Sequence, residues 1–230
     1  MLQENYREVE AKVRQAAERA GRDPEEITLI AVSKTKPLSD IEELIRIGVT
    51  EFGENKPQEL RDKFEQVSQP VHFHQIGHLQ TNKVKYIIDK AVLIHSVDSM
   101  HLAEQIQKEA EKRGLTAEVL IEVNAAEEET KFGVTVEEAP SLVREISTLP
   151  NIKIRGLMTI APFVDDPEEN RPVFRRMKQL LLDIKSQNID NVDMNVLSMG
   201  MTNDFEVAIE EGATMVRVGT AIFGARDYSI

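Results

Sequence analysis

The chain has 230 residues, 41% of them hydrophobic and 30% charged, with a formal net charge of −12 and no cysteine. That balance suits a folded core, and its acidity argues against broad binding to nucleic acid or to an anionic membrane. The lack of cysteine excludes disulfides, thiolate catalysis and cysteine-ligated metals. Residues 1–14 are polar and charged, and no apolar run approaches the roughly 18 residues of a membrane span, so a cytoplasmic protein is expected.

A helical segment over residues 4–19, followed by Gly21 as a helix stop, comes first. Residues 27–33 (I-T-L-I-A-V-S) are apolar on both pleat faces, as in a strand buried from both sides in a parallel sheet. Lys34 follows, on the side of Ile30 and Val32, where an amine needs a partner, a depressed pKa or a covalent bond. The plainer alternative is a lysine snorkelling out at a strand end. Further strands are expected at 51–53, 71–76, 92–95, 117–123, 153–158, 193–197 and 214–218. Between them lie expected helices at 39–47, 58–67, 83–89, 100–113, 136–148, 170–186 and 204–210.

Eight strands joined by seven helices, without repeats or a long linker, predict a single (β/α)8 TIM barrel over residues 1–230. Only a short helix fits after the last strand, so the extra N-terminal helix is expected to cover part of the outer wall. A doubly wound open sheet is the competing architecture, but it wants fewer strands and a glycine-rich first turn, where this chain has S-K-T-K-P.

Chemistry in such a barrel sits at the C-terminal ends of the strands. Those ends carry Lys34, Glu54-Asn55, His74-Gln75, His95-Ser96, Asn124, Met158-Thr159, Ser198-Met199-Gly200 and Arg217-Val218-Gly219-Thr220. Glu54 is the one acid among them. The loop S-M-G-M-T-N-D (198–204) and the Gly219-Thr220 turn follow the last two strands, where this fold frequently builds a phosphate cup from backbone N–H groups and hydroxyls. Thr202, Asn203 and Asp204 are equally readable as ordinary helix N-caps. His72 and His74 share a strand face, with His78 past a turn and no nearby acidic ligand, so no metal site is expected. Met177, Leu180, Leu181 and Ile184 form a core-facing helical stripe. Walker-type phosphate loops, H-E-x-x-H and G-x-S-x-G are absent.

A phosphate cup opposite a strand-end lysine is what a pyridoxal phosphate (PLP) site requires: the aldehyde condenses with the amine and the phosphate anchors the other end. From about Ile27 onward the chain closely resembles the pyridoxal phosphate homeostasis proteins, single barrels related to the N-terminal domain of alanine racemase (PLP fold type III). The resemblance rests on A-V-S-K-T-K-P (31–37), F-G-E-N (52–55), I-G-H-L-Q-T-N-K (76–83), R-G-L-M (155–158), S-M-G-M-T-N-D (198–204) and M-V-R-V-G-T-A-I-F-G-A-R (215–226). It implies that Lys34 forms the internal aldimine and that Arg217 faces the pyridine nitrogen. It further implies that Ser198, Gly219 and Thr220 hold the phosphate, with Met201 and Thr202 in the same loop, and that Asn55 and Met158 line the ring. Lys56, where an aromatic residue often follows F-G-E-N, and Gln75, where an apolar residue often precedes Ile-Gly, depart from the family pattern near the mouth.

A carboxylate beside the pyridine nitrogen would keep it protonated and make the ring a strong electron sink, whereas a guanidinium leaves it neutral and the sink weak. Alanine racemase also takes a second catalytic group from a separate β-domain, and this chain stops shortly after its eighth strand. The resemblance therefore implies a non-catalytic carrier that buffers PLP and hands it to apo PLP-dependent enzymes, with no catalytic residues of its own. Loss of the β-domain favours a monomer. Two alternatives stay open: an amino-acid racemase using bases such as Lys36 or Tyr86, and an aldolase-like enzyme with Lys34 as its Schiff-base lysine.

Overall fold

The computed structural model describes residues 1–224, so Ala225 and Arg226 of the last family motif lie outside the described residues, as does the end of the expected 1–230 unit. Eight parallel strands close into a barrel in sequence order: β1 (Thr28–Val32), β2 (Glu51–Glu54), β3 (His72–Gln75), β4 (Ala91–Val97), β5 (Ala117–Glu122), β6 (Ile152–Met158), β7 (Val192–Ser198) and β8 (Met215–Val218). The helices are α1 (Leu2–Arg19), α2 (Leu38–Ile45), α3 (Pro57–Gln66), α4 (Met100–Lys112), α5 (Ala139–Ile146), α6 (Arg171–Ser186), α7 (Phe205–Glu210) and α8 (Thr220–Phe223). β8 closes on β1 with Ile30 opposite Arg217, and β7 meets β8 with Ser198 opposite Met215.

Strand alternation divides the core in two. Outward residues such as Leu29, Ala31, Phe73, Ile121, Leu157 and Val216 join the helices in one continuous apolar shell, which includes the expected α6 stripe. Inward residues form only a small separate cluster, Leu93, Leu120 and Met158, backed by Ile160, Val196 and Met215. Barrels of this type are usually filled by bulky branched side chains. Here the interior also holds the buried His74, His95, Glu122, Ser198 and Arg217.

α1 covers the wall beside the short α8. Asn5 Nδ2 donates to the Ile222 carbonyl at 3.0 Å, Arg19 pairs with Glu206 and Glu210, and Arg22 donates to the carbonyls of Ile209 and Ala213. Gly21 follows it at φ 66°, the left-handed conformation that ends helices. One expected helix differs: residues 83–89 form no α-helix, and a 3-10 turn spans Thr81–Tyr86 instead. The buried Val84 and Ile87 are three residues apart, the spacing that a three-residue turn also stacks on one face.

Candidate functional site

A cavity of about 790 Å³ opens at the C-terminal ends of the strands, within the roughly 300–1,000 Å³ of small-molecule sites. Seven residues singled out from the sequence line it: Lys34, Asn55, Met201, Thr202, Arg217, Gly219 and Thr220. Val32 also lines it, as the alternation of β1 requires of Lys34's same-face neighbour. Gly77 passes so close to Asn55 that an added Cβ would stand 2.6 Å from the Asn55 carbonyl oxygen, which explains a glycine at this part of the wall.

The turn bearing Lys34 is pinned from below. Ser33 Oγ donates to Glu54 Oε1 at 2.5 Å, and Lys63 Nζ donates at 2.7 Å to Glu54 Oε1, to the Ser33 carbonyl and to Glu59 Oε1. Glu59 Oε1 also accepts from the Thr35 amide at 2.6 Å, and Thr35 holds a left-handed φ of 63°. Burial pushes the Glu54 carboxyl above its usual range, against the pull of Lys63 and Ser33.

On the opposite wall, Gly200 turns the chain at φ 92°, where a Cβ would meet Ala208 Cβ at 2.6 Å. Asp204 occupies the position before α7, yet its carboxylate reaches back: Oδ1 accepts from the Met201 amide at 2.7 Å and Oδ2 from Asn170 Nδ2 at 2.8 Å. Asn203 Nδ2 donates to the Val164 carbonyl at 2.7 Å. This loop is shaped by its own acid and amide, leaving the Thr202 and Thr220 hydroxyls as side-chain donors at the cavity.

Arg217 rises from the interior. Its Nη1 donates to Ser198 Oγ and its Nη2 to the Thr159 carbonyl at 2.9 Å. Burial brings its pKa down to about 10, opposed by Glu122 and Asp204, so it stays cationic at neutral pH. Ser198, to which the resemblance gave a phosphate role, has its side chain fully buried between Arg217 and His95 and is not among the residues lining the cavity. Met158 likewise does not line it and belongs to the small interior cluster, and Ile160, two residues on, lines the cavity.

Several residues at the site have no clear sequence signal. The mouth carries Phe132, 55% exposed and stacked on His78 at 3.8 Å between ring centroids, and Phe163, 87% exposed. Aromatic residues in otherwise charged loops were the one hint. Glu122, the inward-facing last residue of β5, is a second buried strand-end acid besides Glu54, pushed up to about 7 by burial and Asp98, with Arg217 pulling the other way. The acidic partner of His72 and His74 also exists: Glu51, on the neighbouring strand, accepts from both at 2.6 and 2.8 Å. Among the described residues no group of three or more His, Asp or Glu is placed to hold a metal ion.

A family profile for the alanine racemase N-terminal domain matches residues 5–227. A pyridoxal phosphate homeostasis protein of Aquifex aeolicus is 47% identical to this chain, over 94% of it and 95% of the relative's length. The chain belongs to the pyridoxal phosphate homeostasis protein family. Another solved structure, PipY of Synechococcus elongatus with PLP bound, is 31% identical and superposes with a TM-score of 0.81 over 93% of this chain and 100% of PipY. An alanine racemase of Clostridium difficile, 15% identical, aligns at a TM-score of 0.77 over 99% of this chain and 57% of its own, so the homeostasis proteins and the racemase share a barrel fold.

Proposed function

We propose that this chain binds PLP in the cavity at the barrel mouth and serves intracellular PLP homeostasis as a buffer and carrier. The observation that carries this reading is the convergence of one amine, Lys34, one guanidinium, Arg217, and the two hydroxyl-bearing loops on a single cavity. The donor set fits the cofactor. A chain of net charge −12 repels a phosphate on average, so the anion must be held by local donors such as Thr202, Thr220 and the Gly219 backbone. When bound, the cofactor supplies an aldehyde for reversible covalent capture. Lys34 would offer the amine, Arg217 would face the ring nitrogen as a pure donor, and Asn55 would border the ring. That PipY is a relative solved with PLP bound supports the same assignment.

A carrier needs no acid–base pair at the α-carbon, and neither base weighed for a racemase is among the residues lining the cavity. Lys36 Nζ donates to the Phe223 carbonyl at 3.0 Å. Tyr86 does not line the cavity, and Arg61 and Lys85 lie 5.1 and 5.2 Å from its ring centroid. The reading extends to one cytoplasmic unit acting as a monomer, with apo PLP-dependent enzymes as recipients. No described helix is long and apolar enough to cross a membrane.

The test is to load the protein with PLP and mix it with an apo PLP-dependent enzyme while following recovered activity. A panel of L-amino acids and 2-oxoacids is assayed in parallel for racemisation and amino transfer. Transfer without turnover supports the carrier. Steady turnover that disappears in Lys34→Ala would make it an enzyme.

A further inference from the structure

Arg217 is the first member of a chain of hydrogen bonds through the barrel interior. Its Nη1 meets Ser198 Oγ, which lies 2.9 Å from His95 Nδ1. His95 Nε2 is 3.0 Å from His74 Nδ1, and His74 Nε2 is 2.8 Å from Glu51 Oε2. These five residues sit on β8, β7, β4, β3 and β2. β4 and β7 are not neighbours, so the His95–Ser198 bond crosses the interior. At its far end Glu51 also accepts from His72 and borders a separate cavity of about 280 Å³ beside Tyr6 and Thr50.

Donor chemistry fixes the direction of this chain. Arginine can only donate and a carboxylate can only accept. Ser198 therefore accepts from Arg217, and with two neutral imidazoles the carboxylate at the other end sets the remaining bonds, so that Ser198 donates to His95 Nδ1. His95 Nε2–H donates to His74 Nδ1, and His74 Nε2–H donates to Glu51. Four bonds use four protons, with both imidazoles neutral and one tautomer each. Adding a proton to His74 would reverse the two inner bonds and leave the Ser198 proton without a place in the chain. Burial first, then His74 and Arg217, holds His95 well below the usual histidine range, in keeping with a neutral ring.

We propose that Glu51, His74 and His95 are positioning residues for the cofactor site: through this one-directional chain they hold the Ser198 hydroxyl as an acceptor for Arg217 and so fix the guanidinium facing the cavity. The role rests on the PLP reading of that cavity. It assigns a function to three residues that line no part of the cavity, the farthest of them near the opposite end of the barrel.

The experiment compares wild type, Glu51→Leu, which removes the terminal acceptor, and Glu51→Gln, which keeps an acceptor oxygen. PLP affinity and the absorption band of the bound cofactor are measured, with thermal melting of each apo-protein as the fold control. Glu51→Leu should weaken PLP binding tenfold or more and shift the band, and Glu51→Gln should restore most of both. A lowered melting temperature with band and affinity unchanged would overturn the positioning role. Failure of wild type to bind PLP would instead sink the cofactor site, and this role with it. Independently of PLP, nitrogen-15 spectra of the apo wild type should show His74 and His95 as Nε2–H tautomers. Nδ1–H or mixed tautomers would overturn the chain.

Discussion

Lys63 Nζ lies 2.7 Å from Glu54 Oε1 and 2.7 Å from the Ser33 carbonyl, so one buried amine ties the end of β1 to the end of β2 directly under the Lys34 turn. The pair matters less for the energy of a salt bridge than for what its loss leaves behind. A buried carboxylate stripped of its cation typically costs ~3–5 kcal/mol.

Lys63→Met should therefore destabilise the apo-protein by about 3 kcal/mol at pH 8, read from urea unfolding. The loss should shrink at pH 5, because burial already raises the Glu54 pKa and the protonated carboxyl tolerates burial without a partner. Adding Glu54→Gln to Lys63→Met should recover part of it. A loss at pH 8 below about 1 kcal/mol would mean that the interaction is no more than a surface-grade pair.

Lys34 is expected to carry the cofactor. Borohydride reduction of the PLP-loaded protein, followed by peptide mass spectrometry, should place the pyridoxyl adduct on Lys34, and Lys34→Ala should lose the cofactor's absorption band. An adduct confined to Lys36 would overturn the assignment.

The hydroxyl-bearing loops make a separate prediction. Pyridoxal, which lacks the phosphate, should bind far more weakly than PLP, and Thr202→Val and Thr220→Val should each weaken PLP binding. Hydrogen bonds to a charged group are worth about 1.5–3 kcal/mol, so each change should raise the dissociation constant roughly tenfold to a hundredfold. Equal affinity for pyridoxal and PLP would remove the phosphate cup from the site.

The barrel and its strand-end lysine were legible for one reason: strands of a parallel sheet are apolar on both faces, so a charge at their end stands out. The run that ends in Lys34 shows this, whereas β2 (E-F-G-E) and β3 (H-F-H-Q) carry few apolar residues and were legible mainly from their place between helical segments. Pairings inside the barrel were not legible. His95 and Ser198 are 103 residues apart and meet only because closure brings β4 and β7 face to face across the interior. Glu51 was hidden in the same way, 21 residues from His72 in sequence and adjacent to it in the sheet.

Local pattern failed where two structures share a periodicity. Val84 and Ile87 satisfy both an α-helix and a 3-10 turn, and only packing decides between them. Phe132 and Phe163 sit in charged loops whose course over the cavity no periodicity encodes. The family motif links Ser198 to the phosphate, and nothing local in the sequence says that its hydroxyl, at the inward end of β7, meets Arg217 and His95.

Glu122 makes the last prediction, on stability against pH. Its carboxyl is pushed up to about 7 by burial and by Asp98, with Arg217 opposing, from the 4.5 of an unperturbed glutamate. A folded-state value above the unfolded one means the native chain holds this proton more tightly than the unfolded chain does. The stabilisation is fully present below 4.5 and is lost as pH rises through about 7. Above that pH the native state bears a buried charge costing on the order of 3 kcal/mol. Glu122→Gln keeps the shape and removes the titration. The variant should match wild type near pH 4.5 and exceed it at pH 8 by on the order of 3 kcal/mol in urea unfolding of the apo-protein. A stability difference that stays flat between those pH values would show that Glu122 does not titrate in this window.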